Sequence, residues 1–354
     1  MLDTLSFDNL SPGAIAAALG CAGGIGLGLA ARLGRFCSLG AIEDVLYQGS
    51  NTRARQWGVA IGVAVIGVFA LVSLGLFDPR QTLYLAKQWS PTASILGGLM
   101  FGYGMALAGN CGFGALARLG GGDLRNFVIV IVMGLASYMT LNGPLAALRV
   151  AIFPPQPAES PAGAAHWLHA HGMPLGASGM IIGLVILAIA LASKHYRQEH
   201  KSIAWGAVVG AVIVAGWAST SWVSYATFDA LPVESHSFAA PIGDTLFYIM
   251  TSSATSLTFG VGSVIGVLIG AAIGALIKGH FRWESCDDPR ELKRQIGGAV
   301  LMGIGAVLAF GCTIGQGISA FSVLAFSAPI TAASIIVGAA VGLHQLIYGF
   351  SIKA

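Results

Sequence analysis

Long apolar stretches separated by short polar ones dominate the chain. Residues 57–77, 126–148, 174–193 and 203–228 contain no Asp, Glu, Lys or Arg, and neither do 9–31, 88–117, 245–277 and 295–352. Each reaches the roughly 20 residues that span the ~30 Å hydrocarbon core of a bilayer. Lipid offers the backbone no hydrogen-bond partner, so such stretches must be helices or a closed barrel, and the alternation of a β-barrel is absent. The pattern predicts an all-α polytopic membrane protein with about nine transmembrane helices, near 12–33, 57–77, 92–110, 127–148, 174–193, 203–225, 255–277, 295–311 and 329–350. We read residues 1–354 as one transmembrane domain.

Composition agrees. Only 9% of the 354 residues are charged and 55% are hydrophobic, whereas a soluble domain carries about a quarter charged residues. The loops between these spans alternate sides. Arg80, Lys87 and Arg149 fall on one side and the other fifteen of the 18 Lys and Arg on the opposite one. Cytoplasmic loops carry the Lys/Arg excess, which predicts an N-terminus outside and a cytoplasmic C-terminus. The acidic loop with Asp229, Glu234 and Asp244 then lies outside. The first residues carry Asp3 and Asp8 rather than basic residues, so the first apolar segment is expected to be retained rather than cleaved as a signal peptide.

A duplication runs through this pattern. Residues 102–114 (GYGMALAGNCGFG) and 303–315 (GIGAVLAFGCTIG) align without gaps and share Gly102/Gly303, Gly104/Gly305, Leu107/Leu308, Ala108/Ala309, Cys111/Cys312 and Gly114/Gly315. A cysteine at the same offset is informative in a chain with 5 cysteines. Each copy ends a glycine-rich helix and restarts after a Cys-x-x-Gly break. The charge pattern sends the two helices through the bilayer in opposite directions, which suggests two pseudo-symmetric, inverted halves. We place these at 12–150 and 245–350, with 151–244 as connecting helices and loops. Transporters built this way bind at the repeat interface, where broken helices meet near the midplane. Upstream helices carry Gly20, Gly24 and Gly28, and Gly262, Gly266, Gly270 and Gly274, spacing that lets membrane helices pack closely. By the same charges these two helices run in one direction, which strains a strict inverted repeat. Cys37 also follows a glycine-rich helix and a break, whereas Cys21 lies inside the first helix and Cys286 in a charged loop.

Three signatures in order, Arg35-Phe36-Cys37, the glycines and cysteine of 102–114, and Gly311-Cys312-Thr313 with Gly315 and Gly317, resemble the YeeE/YedE sulfur-transport family over roughly residues 12–345. The resemblance implies an inner-membrane importer of thiosulfate or a related sulfur compound, with functional cysteines at Cys37, Cys111 and Cys312. By family analogy alone it implies a small cytoplasmic sulfur-carrier protein as partner. Asn110 stands where the family often has glycine, and Gln316 where a smaller or histidine side chain is frequent.

Thiosulfate is a dianion with hard oxygens and one soft sulfur. Burying it costs on the order of tens of kcal/mol unless partners replace its water. Helices restarting at Gly112 or Thr313 would aim N–H groups and a positive dipole end at it. Neutral thiols could donate weak hydrogen bonds to its sulfur, and several weak sites in series suit conduction. Arg35, Asn110, Gly112, Thr313 and Gln316 are the further candidate contacts. Arg35 may equally mark the membrane boundary, and the two amides may only cap broken helix ends. His166, His169 and His171 read as a solvated loop rather than a metal site. No metal, cofactor, nucleotide loop or nucleic-acid signature is present, and no catalytic residues are assigned. Two alternatives stand beside transport of a sulfur anion. A membrane-embedded thiol enzyme would need an activated or pairing cysteine, and the chain has no Cys-x-x-Cys; a passive pore for a neutral solute would share the broken helices.

Overall fold

A computed structural model describes residues 11–154, 156–285 and 288–349. Cys286, Asp3 and Asp8 lie outside them. Among the described residues the protein is all-helical, and its extended segments meet in three isolated backbone bridges. The helices used below are α1 (Pro12–Leu33), α2 (Ser38–Glu43), α3 (Thr52–Ser73), α4 (Pro91–Ala108), α5 (Gly112–Gly120), α6 (Arg125–Leu141), α7 (Leu175–Leu191), α8 (His200–Ala226), α9 (Ala240–Thr251), α10 (Phe259–Ile277), α11 (Pro289–Leu308) and α12 (Ser327–Tyr348). Their starts follow local chemistry. Ser11, Ser90, Thr258 and Asp288 cap α1, α4, α10 and α11, and Pro12, Pro91 and Pro289 occupy first-turn positions, where a missing N–H costs nothing.

Six helical stretches are long and apolar enough to cross a membrane, or seven if the pair Arg125–Leu141 and Ala146–Ile152, bent by 57°, is one span. The expectation of nine is therefore not met by length and apolarity. Of the two remaining segments, α7 has 17 residues and α11 opens on a charged turn with Arg290, Glu291, Lys293 and Arg294. The acidic loop ends in α9, a 12-residue helix too short to cross, which begins at Ala240 and sets Ile242 and Gly243 against Gly134 of α6.

Glycines set the helix directions. Gly13, Gly20, Gly24 and Gly28 of α1 meet Leu257, Phe259, Ser263 and Val267 in that order, and Gly262, Gly266 and Gly270 of α10 meet Ala17, Cys21 and Ile25. The two helices are thus parallel, as the loop charges predict. Helix α4 runs parallel to α12, with Gly102 against Ile335 and Gly342 against Tyr103, and antiparallel to α11, with Gly97 against Gly305 and Gly104 against Gly298. The two repeat helices, α4 and α11, therefore pass each other in opposite directions. Association in lipid draws on packing and hydrogen bonds rather than on hydrophobicity, so backbone-to-backbone seams of this kind carry the bundle. The seams leave the cysteine-bearing ends of α4 and α11 facing one buried core.

A Cβ on Gly266 would overlap the Cys21 carbonyl, whereas Gly297 faces open space. Gly266→Leu is expected to lower the thermal midpoint and the yield of the detergent-solubilised protein. Gly297→Ala should hold or raise the midpoint, since alanine in a helix gains about 1 kcal/mol over glycine. A thermal-shift assay on both variants checks the pair.

Candidate functional site

One local geometry recurs at three points. Just past the end of α1 stands Arg35 (φ 52°), past α4 Gly109 (φ 78°) and past α11 Phe310 (φ 55°), all left-handed. Two residues after each comes a cysteine, and the chain turns helical again. The sulfur then accepts the backbone N–H three residues on: Gly40 N to Cys37 Sγ at 3.5 Å, Gly114 N to Cys111 Sγ at 3.4 Å, and Gly315 N to Cys312 Sγ at 3.5 Å. A glycine fills the third position each time. Cys37 and Cys111 are the N-caps of α2 and α5, and Cys312 precedes a π-helical turn at Gly315–Ala320. A helix start leaves N–H groups without intrahelical partners; here thiols take the place usually held by Ser, Thr, Asp or Asn. With its sulfur accepting, each thiol keeps its own hydrogen to donate.

The three breaks share one hydrophobic core. Cys111 is 1% and Cys312 0% exposed, and Cys111 is within electrostatic range of both Cys37 and Cys312. Ser38 bonds Met105 Sδ at 3.6 Å, tying the Cys37 break to α4. A single residue joins the other two. Phe238 donates its N–H to Cys312 Sγ at 3.3 Å, its carbonyl packs on Gly112, and its ring lies 5.3 Å from that of Phe113. Cys21, Cys37, Cys111 and Cys312 are all free thiols. Cys21 sits in the α1/α10 seam, away from any break.

The further candidates divide. Asn110 is buried; its Nδ2 donates to Asn126 Oδ1 at 2.7 Å while its Oδ1 has no partner. The buried Thr313 hydroxyl is also unpartnered, beside an apolar groove of about 370 Å³ lined by Trp57, Phe321 and Ile335. Gln316 spends both amide ends on the protein, donating to Ala309 O at 2.7 Å and accepting from Ser327 at 3.3 Å, so it staples the broken end of α11. Arg35 is exposed and borders a cavity of about 350 Å³ together with Cys37, Asn110 and Arg118. His169 and His171 bond to carbonyls of their own segment, at Met173 and Trp167.

The segment 227–239 was not legible as part of the site. It reads as an outer acidic loop, yet it turns at Phe228 and Asp229 (φ 53° and 62°) and runs inward to Cys312. It is pinned by Thr220 at both backbone groups of Glu234, by His236 Nδ1 to Ser263 Oγ at 2.6 Å, and by Ser319 to His236 O at 2.7 Å. Burial, with Asp244 nearby, pushes the Glu234 carboxyl up to about 7. The one signal in the sequence was the uncharged run from Ser235 to Gly243, too short to span.

Comparison with known proteins bears on this arrangement. The thiosulfate transporter TsuA of Escherichia coli (strain K12) is 25% identical over 315 residues, covering 82% of this chain and 84% of that protein. A thiosulfate transporter TsuA of Spirochaeta thermophila is 26% identical, over 88% of this chain and 93% of its own length. The probable transporter YedE of Escherichia coli is 32% identical over a stretch of 95 residues, 27% of this chain. The family model described as sulphur transport matches residues 33–341, from just before the first thiol cap to well past the third, and the chain belongs to that family of membrane proteins.

Proposed function

We propose that the protein imports a small sulfur-containing anion, thiosulfate foremost, past Cys312, Cys111 and Cys37. The observation that carries this reading is the threefold thiol cap. Three thiols at helix starts, Cys111 and Cys312 buried and Cys37 partly buried, share one core with Cys111 in electrostatic range of the other two, and form a series of weak soft-sulfur donors. Each stands where free N–H groups and the positive end of a helix favour an anion. The relatives named as thiosulfate transporters support the substrate. Weak sites in series let an ion bind and also leave. Transport asks for no bond to the thiols, so their hydrogens serve the passing sulfur while their sulfurs hold the helices.

The same reading places the protein in a bacterial inner membrane with the face of Arg32, Arg118 and Lys278 toward the cytoplasm, the N-terminus outside and the C-terminus inside. Residues 12–150 and 245–350 then form inverted halves whose broken helices α4–α5 and α11 with its π-turn meet at the site. The antiparallel passage of α4 and α11 supports this, whereas the parallel pair α1 and α10 departs from a strict inversion. A fluorescent protein fused after Ala354 should be bright and a fused alkaline phosphatase inactive; the reverse pair of results contradicts the orientation.

Growth on thiosulfate as sole sulfur source, in cells lacking other thiosulfate uptake, tests the function. The wild type should support growth, and an equally expressed Cys111→Ala should not. No growth with well-inserted wild type turns attention to other sulfur and selenium species. Serine separates path from cap. Its hydroxyl accepts the same N–H, so Cys→Ser at 37, 111 or 312 should leave the thermal midpoint near that of wild type, whereas Cys→Ala costs about 1 kcal/mol per cap. Uptake of labelled thiosulfate should still fall at least about tenfold in each serine variant, the loss of one ~1.4 kcal/mol interaction. Wild-type uptake in all three serine variants would reduce the cysteines to caps.

A further inference from the structure

A cavity of about 350 Å³ opens on the basic face. Its wall carries Arg32, Arg35, Arg53, Arg118, Lys278 and His280, and no carboxylate is among its lining residues. Some of this charge is already used. Arg53 pairs with Asp44 at 3.0 Å. Arg32 donates to the carbonyls of Ala117 and Arg118, at 3.0 and 3.1 Å, and Lys278 to that of Arg32 at 2.6 Å, which satisfies the C-terminal ends of α5 and α1. Among the described residues the exposed guanidiniums of Arg35 and Arg118 make no hydrogen bond or ion pair, and Glu43 lies within electrostatic range of Arg118. Arg35 is held in a left-handed conformation (φ 52°), a strain that a non-glycine residue keeps only where its surroundings impose it.

The floor is polar and buried. Asn110, 1% exposed, carries one amide end with no partner while the other is tied to Asn126. The two ends of an amide are told apart only by their hydrogen bonds. Exchanging them at Asn110 and Asn126 keeps the bond between the two side chains and leaves an NH2 donor unpaired at Asn110, which lines the cavity. Cys37 lies beside it. Two unpaired guanidiniums, a buried amide and a thiol around one space make a receptor for a compact dianion. Guanidinium donors match the oxygens, and the thiol suits a soft sulfur where the anion has one.

We propose that this vestibule is a binding site for tetrahedral sulfur oxyanions of the sulfate and thiosulfate class, open to the basic face, with Arg118 and Arg35 supplying charge and Asn110 and Cys37 the floor. It rests on the transport reading for its place as the last station of the path, yet it binds sulfate, which has no soft sulfur, as well. An oxyanion accumulating on that side therefore occupies the station and slows further uptake.

Equilibrium binding of radiolabelled sulfate to the purified full-length protein tests this, at fixed ionic strength set with chloride. Wild type should bind saturably. Arg118→Gln should bind at least about tenfold more weakly, as the loss of a charge-assisted bond implies. Arg282→Gln, which removes a charge from the same face outside the cavity, should bind as wild type does. Should Arg118→Gln fold poorly, Arg35→Gln makes the same comparison. Absence of saturable binding to wild type, or equal loss in Arg282→Gln, overturns the site. Thiosulfate uptake by the same wild-type protein reports the transport reading separately: uptake without sulfate binding sinks the vestibule alone, and sulfate binding without uptake sinks the transport reading alone.

Discussion

A helix that breaks inside a bilayer leaves backbone N–H groups with no water to receive them, and the rest of this structure depends on how that debt is settled. Each unsatisfied group costs several kcal/mol in hydrocarbon. Here a cysteine accepts the N–H of a glycine three residues on, at each of three breaks. Sulfur is a weak acceptor, so the caps are weak, and the breaks are held by other means as well. Gln316 staples the end of α11, Phe238 donates to Cys312, and Ser38 reaches Met105. A stronger cap such as Asp would place a fixed negative charge in the path of an anion. The thiol caps the helix without that charge and keeps a hydrogen to offer.

The glycine seams serve the same end at longer range. Close passage of α1 on α10, and of α4 between α11 and α12, brings the broken ends into one core, and the Tyr103 hydroxyl donating to Gln345 Oε1 ties α4 to α12. The loop of residues 227–239 then closes the gap between Cys111 and Cys312 with one residue, Phe238. On the basic face the opposite arrangement holds. The vestibule is roomy, charged and floored by a half-satisfied amide. The molecule thus grades from a tight apolar middle, where thiols and the Thr313 hydroxyl are the available donors, to an open end where guanidiniums take over.

Much of this was legible in the chain. The span expected at 12–33 coincides with α1, and those at 92–110 and 203–225 fall within three residues of α4 and α8, because uncharged runs of bilayer length have few other fates. The Cys-x-x-Gly repeat marked two of the caps, and the break before Cys37 the third. What the sequence hid has physical causes. Residues 227–239 are polar enough to read as a solvated loop, since their hydrogen bonds come from Thr220, Ser263 and Ser319 on distant helices. Helix α9 is too short for a spanning window to find. Gln316 looks like a contact for a ligand until both of its amide ends are found bonded to the protein.

The central claim is that the thiols themselves meet the sulfur of the passing anion. Crystals of the wild type soaked in selenosulfate, in which selenium replaces the terminal sulfur, locate that atom directly by anomalous scattering. The account predicts a selenium peak within hydrogen-bonding reach of Cys37, Cys111 or Cys312 Sγ. An ordered anion whose selenium lies away from all three thiols would contradict it.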